Sequence, residues 1–190
     1  MRQICVFGSS SEAIDPAYLS VAEELGGFLT AHDCGVVYGA GCYGIMGAVA
    51  RGVRAKGGAL LGISPDFFVD LNVLTDDYGE LILTPTMRER KALMEEKADA
   101  FIICAGGIGT LEELFEVITL KQLGRHSKPI IILNTLGFYD PMLDMMEQSV
   151  AQHFMSEKVY RLYTVASSIE EAWEQLENYQ PFGYNKYGAN

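Results

Sequence analysis

Seven short β-rich runs alternate with amphipathic helical stretches along this chain, and several of the runs are apolar without any polar alternation. Phe101-Ile102-Ile103-Cys104 and Ile130-Ile131-Ile132-Leu133 are the clearest. A strand that meets water on one face alternates apolar and polar residues. A run that does not alternate is buried on both faces, as in a parallel sheet covered by helices. Strand runs fall at Gln3–Phe7, Gly35–Tyr38, Ala59–Ser64, Glu80–Leu83, Ala100–Cys104, Pro129–Leu133 and Tyr163–Ala166. Helical periodicity falls at Pro16–Ala31, Ile45–Lys56, Met87–Ala98, Leu111–Leu123, Pro141–His153 and Ile169–Asn178. Strict β/α alternation of this kind predicts an α/β fold: a single Rossmann-like, doubly wound, mostly parallel sheet flanked by helices on both faces.

A chain of 190 residues buries one substantial core and is short for two domains. Without an internal repeat or linker, the reading is one α/β domain over residues 1–180, with 181–190 an irregular tail rich in Gly, Asn and Tyr. A formal charge of −11 argues against an electrostatic nucleic-acid partner, which demands a basic surface. A small anion is still admissible, because local amide dipoles can hold it within a negative global field. Cys5, Cys34, Cys42 and Cys104 lack C-x-x-C spacing and read as reduced, packed thiols. His32, His126 and His153 are scattered, so no metal site is expected. The apolar run at the N-terminus is too short for a signal peptide, and no stretch approaches the ~20 apolar residues that span a bilayer. The expectation is a cytoplasmic protein that does not engage a membrane.

In a doubly wound sheet, ligands bind beyond the carboxyl ends of the strands. Three loops at such ends carry unusual residues: Gly8-Ser9-Ser10-Ser11, Gly39–Gly47 and Ala105–Thr110. In the last of these, Gly106, Gly107 and Gly109 let the backbone turn tightly and aim successive N–H groups outward. The helix that follows adds unsatisfied donors and a partial positive charge, which together make an anion seat. The loop lacks the lysine of a P-loop, so a Mg²⁺-bound nucleoside triphosphate is not implied. Glu113 lies one turn further on, where its carboxylate would reach the sugar attached to a seated phosphate. Thr110 and Glu113 also have T-x-x-E capping-box spacing, so on the residues alone capping and catalysis both stand.

A fourth element brings cations. At 100° per residue, Arg90 and Lys91 fall on the same helix face as Met87, Leu93, Met94 and Ala98, whereas Arg88, Glu89, Glu95 and Glu96 point away. An inward charge must be paired or must line a polar site, so Arg90 either meets a core acid or serves a ligand. Gly39-Ala40-Gly41-Cys42-Tyr43-Gly44 fits G-x-G-x-x-G, but it follows the second strand rather than the first. It reads better as a lining of the same mononucleotide site, with Gly41 and Ser9 at the ligand, than as a dinucleotide fingerprint.

Taken together these segments resemble the Lonely Guy (LOG) family of cytokinin riboside 5′-monophosphate phosphoribohydrolases, often labelled lysine decarboxylase-like. The family's P-G-G-x-G-T-x-x-E corresponds to Ala105–Glu113, and its M-H-E-R-K to Met87-Arg88-Glu89-Arg90-Lys91. V-F-x-G-S-S corresponds to Val6–Ser10, one residue shorter, and Y-G-G-G-x-x-G-[LI]-M-G to Tyr38–Gly47. The resemblance implies hydrolysis of the N-glycosidic bond of a nucleoside 5′-monophosphate, either AMP or a cytokinin riboside monophosphate, to free base and ribose 5-phosphate. It implies catalytic roles for Arg90 and Glu113 and phosphate binding at Gly107, Gly109 and Thr110, with Gly106 in the same loop. It places Met87 and Lys91 near the nucleotide and implies a homodimer or larger assembly without a cofactor. Ala105, Arg88 and Ala40 replace the family's Pro, His and Gly, and Ala40 is expected to narrow the pocket. A literal decarboxylase would need pyridoxal phosphate and a Schiff-base lysine, for which only Lys91 is at hand. The alternative of a different class is a non-catalytic nucleotide sensor or carrier.

Overall fold

A single seven-stranded sheet runs through the protein in the order β4-β3-β2-β1-β5-β6-β7, and every pairing between its strands is parallel. A computed structural model describes residues 1–71, 73–74 and 79–183. The strands are β1 (Arg2–Phe7), β2 (Cys34–Tyr38), β3 (Leu60–Pro65), β4 (Glu80–Thr84), β5 (Ala100–Ile103), β6 (Ile130–Leu133) and β7 (Thr164–Ala166). The helices are α1 (Pro16–Ala31), α2 (Gly44–Ala55), α3 (Met87–Lys97), α4 (Ile108–Gln122), α5 (Asp140–Ala151) and α6 (Ile169–Glu177). Each predicted element is present, with ends displaced by a few residues. Short 3₁₀ segments at Asp66–Leu71, Thr135–Gly137 and Glu157–Arg161 carry no periodic signal, because one or two turns are too short to show a period. Of the tail read as irregular, residues 184–190 lie outside the described residues.

The non-alternating strands divide their side chains between two cores. Ile4, Val6, Val36, Tyr38, Ile102 and Ile131 pack with α1, α2 and α6 on one face. Cys5, Phe7, Val37, Ile103 and Ile132 pack with α3, α4 and α5 on the other. A residue such as Ile102 and its neighbour Ile103 are therefore both buried, on opposite sides, which is why the sequence shows no alternation. The chain winds outward from β1 through β4, then α3 returns it to β5, on the other side of β1. Loops leaving β1 and β5 consequently part in opposite directions and open a crevice at the carboxyl edge between them.

Candidate active site

That crevice is a cleft of about 500 Å³. Gly8, Ser9, Ser10 and Ser11 reach it from the end of β1, and Gly39, Gly41, Tyr43 and Met46 from the loop and helix after β2. Phe68, Val73 and Leu74 come from beyond β3, Met87 and Arg90 from α3, and Gly107, Ile108, Gly109, Thr110 and Glu113 from α4. One end is thus glycine and hydroxyl, the other aliphatic and aromatic.

The helix starts explain the polar end. Asp15, Thr86 and Ser168 cap α1, α3 and α6 by accepting backbone N–H groups through their side chains. At α4 the N-cap is Gly107, which has no side chain to offer, and the first turn carries no acid. Among the described residues, no acceptor takes the amides of Ile108, Gly109 or Thr110. Three aligned donors at the positive end of a fifteen-residue helix form an anion seat. A Cβ at Gly107 or Gly109 would meet no protein atom within 4 Å, so packing does not require glycine at either position. Gly106 differs. Its missing Cβ leaves room for the Thr110 side chain, whose own Cβ would lie only 2.5 Å away.

The capping-box expectation for Thr110 and Glu113 is corrected by this geometry. The glycine loop itself enters the helix, so α4 begins at Ile108 and Thr110 is already its third residue. Glu113 does not turn back to the helix start; its Oε1 accepts from Arg90 Nη1 at 2.8 Å. Both partners are 8% exposed, so the pair is a buried ion pair rather than a surface bridge. Arg90 Nε also donates to the Ile63 carbonyl at 3.1 Å, which fixes the guanidinium plane. Burial raises the Glu113 carboxyl above its ordinary range, and the charge and hydrogen bond of Arg90 oppose that shift. The two alternatives left open for Arg90 therefore coincide: it meets a core acid, and both groups line the cleft.

Lys91 lies elsewhere. Although it shares the inward arc of α3, its ammonium is held by Glu112 and by Glu116, at 2.7 Å from the latter, and it does not line the cleft. A long lysine stem lets its head leave an arc that a shorter side chain could not. Ser9 joins three loops: its N–H donates to Ala105 O at 3.1 Å, its carbonyl accepts from Ile45 N at 2.8 Å, and its Oγ accepts from Ser11 N. Gly41 lines the cleft and pairs with Leu74 through an isolated bridge. Arg88 is exposed, as its helical angle predicted. Ala40 does not narrow the cleft. Its backbone sits at φ 60° and its methyl is buried against Gly62, away from the lining.

Sequence reasoning missed the apolar wall of Phe68, Val73 and Leu74, which follows a proline and shows no period. It also missed Tyr139, a buried residue whose hydroxyl donates to the Cys104 carbonyl at 2.8 Å, immediately before the glycine loop. Among the described residues no group of three or more His, Cys, Asp or Glu is arranged to hold a metal ion. No described helix is long and apolar enough to cross a membrane.

The family model described as possible lysine decarboxylase matches residues 46–176, which is most of the chain. The chain belongs to this family. Within the lysine decarboxylase-like family it is 39% identical over 180 residues to cytokinin riboside 5′-monophosphate phosphoribohydrolase LOG7 of Arabidopsis thaliana, covering 95% of this chain and 83% of the relative. It is 41% identical over 180 residues to the phosphoribohydrolase LOG of Oryza sativa subsp. japonica, covering 95% and 74%. Among solved structures, the molybdenum cofactor binding protein of Rippkaea orientalis superposes with TM-score 0.70 at 20% identity, covering 93% of this chain and 95% of that one. The Moco carrier protein of Chlamydomonas reinhardtii gives 0.69 at 19%, covering 93% and 95%. At those identities the likeness is one of fold, and it agrees with the Rossmann-like sheet described above.

Proposed function

We propose that this protein hydrolyses the N-glycosidic bond of a nucleoside 5′-monophosphate, releasing the free base and ribose 5-phosphate. The observation that carries this reading is the buried Arg90–Glu113 pair one helical turn from the uncapped glycine start of α4, within a single cleft. The names of the relatives support it. The phosphate rests on the amides of Ile108, Gly109 and Thr110, with Gly106, Gly107 and the Thr110 hydroxyl shaping the seat and Ser9 and Gly41 bordering it. The base extends toward Met87 and the apolar wall. Lys91 stays out of the phosphate seat, because its head is engaged by Glu112 and Glu116; its part is to brace α3 against α4 beside the cleft.

The chemistry follows from the placement. Cleavage breaks the bond between C1′ and the base nitrogen, and the electron pair leaves with the base. The sugar passes through an oxocarbenium-like cation, which the Glu113 carboxylate stabilises. Glu113 also accepts a proton from the attacking water, whose oxygen bonds to C1′; the departing base nitrogen takes a proton from solvent, and Glu113 returns its own to solvent, so that one water is consumed per bond broken. Arg90 keeps Glu113 ionised against the desolvation that raises its pKa. Phosphate binding at the glycine loop orients the remote reacting centre.

AMP and isopentenyladenosine 5′-monophosphate are the substrates to offer, with released base read by chromatography. Glu113→Gln is expected to lower kcat at least about 100-fold, the scale of losing a charge aimed at the transition state. No base from either nucleotide, or full turnover in Glu113→Gln, overturns the mechanism. Tight AMP binding without hydrolysis would favour a sensor or carrier. The family resemblance further supports a homodimer, which light scattering of the purified protein tests directly.

A further inference from the structure

Arg90 is held on two sides by hydrogen bonds, through Nη1 to Glu113 and through Nε to the Ile63 carbonyl. Its third side faces Gly39, at the end of β2. A Cβ built on Gly39 would fall well inside van der Waals contact of Arg90 Nη2, and 3.3 Å from Cζ. It would also stand 3.0 Å from Met46 Sδ, but a thioether at the end of a flexible side chain can give way. The guanidinium cannot. Moving it off the new methyl stretches one of its two hydrogen bonds, and the bond to Ile63 is anchored in a strand.

The backbone of Gly39 offers no other reason for glycine. Its φ is not positive, unlike that of Gly44 at 59° or Gly57 at 69°, so an L-residue is conformationally acceptable there. Packing against the sheet is not the reason either, since the nearest atoms to the built Cβ all belong to Arg90 and Met46. We infer that Gly39 is a positioning residue for Arg90: its bare Cα sets the depth at which the guanidinium lies and so the alignment of Glu113. This rests on the reading that Glu113, held by Arg90, acts on the substrate. The rival explanation is that glycine at 39 leaves space for the ligand itself, because the residue also lines the cleft.

A double-mutant cycle separates these. Gly39→Ala in the otherwise unchanged protein is expected to lower the melting temperature by about 5 °C, the scale of an overpacked site in a domain of this size. In an Arg90→Ala, Glu113→Gln background, which removes the obstacle without leaving a buried charge unpaired, the same substitution is expected to cost little. Equal loss in both backgrounds overturns the proposal, and so does failure of Gly39→Ala to fold in both. Failure in the natural background together with folding in the Arg90→Ala, Glu113→Gln background supports it. This melting cycle reads the steric coupling whether or not the protein cleaves nucleotides, so it can succeed where the hydrolase reading fails. With the AMP assay, Gly39→Ala is expected to lower kcat about 100-fold, as a misplacement near 1 Å does, with KM within about threefold. A raised KM at unchanged kcat would instead assign Gly39 to ligand clearance and refute the positioning role.

Discussion

Gly109→Ala should make the protein more stable and worse at holding its substrate. Gly109 is the second residue of α4, in a conformation open to any L-residue. A Cβ there meets no protein atom within 4 Å, so the substitution introduces no clash. Alanine in place of glycine in a helix contributes about 0.5–1 kcal/mol through the lower entropy of the unfolded chain and better helix propensity. For a domain of this size that is a rise of about 1–4 °C in melting temperature. The new methyl enters the side of the loop that faces the cleft and crowds a phosphate resting on the amides of residues 108–110. Losing one charge-assisted hydrogen bond from backbone N–H to phosphate costs about 1.5–3 kcal/mol, or roughly 10- to 150-fold in affinity. Thermal melts of both proteins measure the first effect. KM for AMP, and the shift in melting temperature produced by ribose 5-phosphate, measure the second. A variant that is stabilised but keeps KM within twofold would show that the phosphate does not rest on this turn. A variant that is destabilised would show that the glycine serves packing after all.

Two further expectations concern residues outside the cleft lining. Glu95 has its carboxyl raised from 4.5 to about 7, first by burial and then by Glu116, with Lys91 and Lys128 opposing and Glu112 adding a smaller rise. Between those values the folded state binds a proton that the unfolded chain has released, so stability is lost as pH climbs from about 4.5 to 7. Glu95→Gln should flatten that decline in urea titrations at pH 5 and pH 8, and equal slopes would remove Glu95 as its source. Tyr139→Phe deletes the hydrogen bond to Cys104 O and should cost about 1 kcal/mol, or about 2–4 °C. KM for AMP should rise as the glycine loop loosens; an unchanged melt would show that the bond contributes nothing.

What was legible in the sequence was what is local. The double burial of Phe101-Ile102-Ile103 announced a parallel sheet because adjacent residues of one strand must satisfy two cores. The glycines at 106, 107 and 109 announced an open, uncapped helix start because the requirement lies in the backbone of consecutive residues. Arg90 could be placed inward from its angle on one helix. Its pairing with Glu113 could be reached only through the family resemblance that puts both in one site, since Glu113 is 23 residues away and the two meet because α3 and α4 share the face of the sheet on which β5 returns beside β1. The same absence of tertiary information made the T-x-x-E spacing misleading. A capping box is a competition between a carboxylate's own helix start and whatever else it can reach, and spacing shows only the first competitor. Here the second is a buried guanidinium, and a buried charge left unpaired costs far more than a helix end whose amides can serve a ligand. Arg90 therefore takes the carboxylate, and α4 is left with an uncapped start. The arrangement that defeats the local motif is the one that leaves both an anion seat and an aligned acid in one cleft.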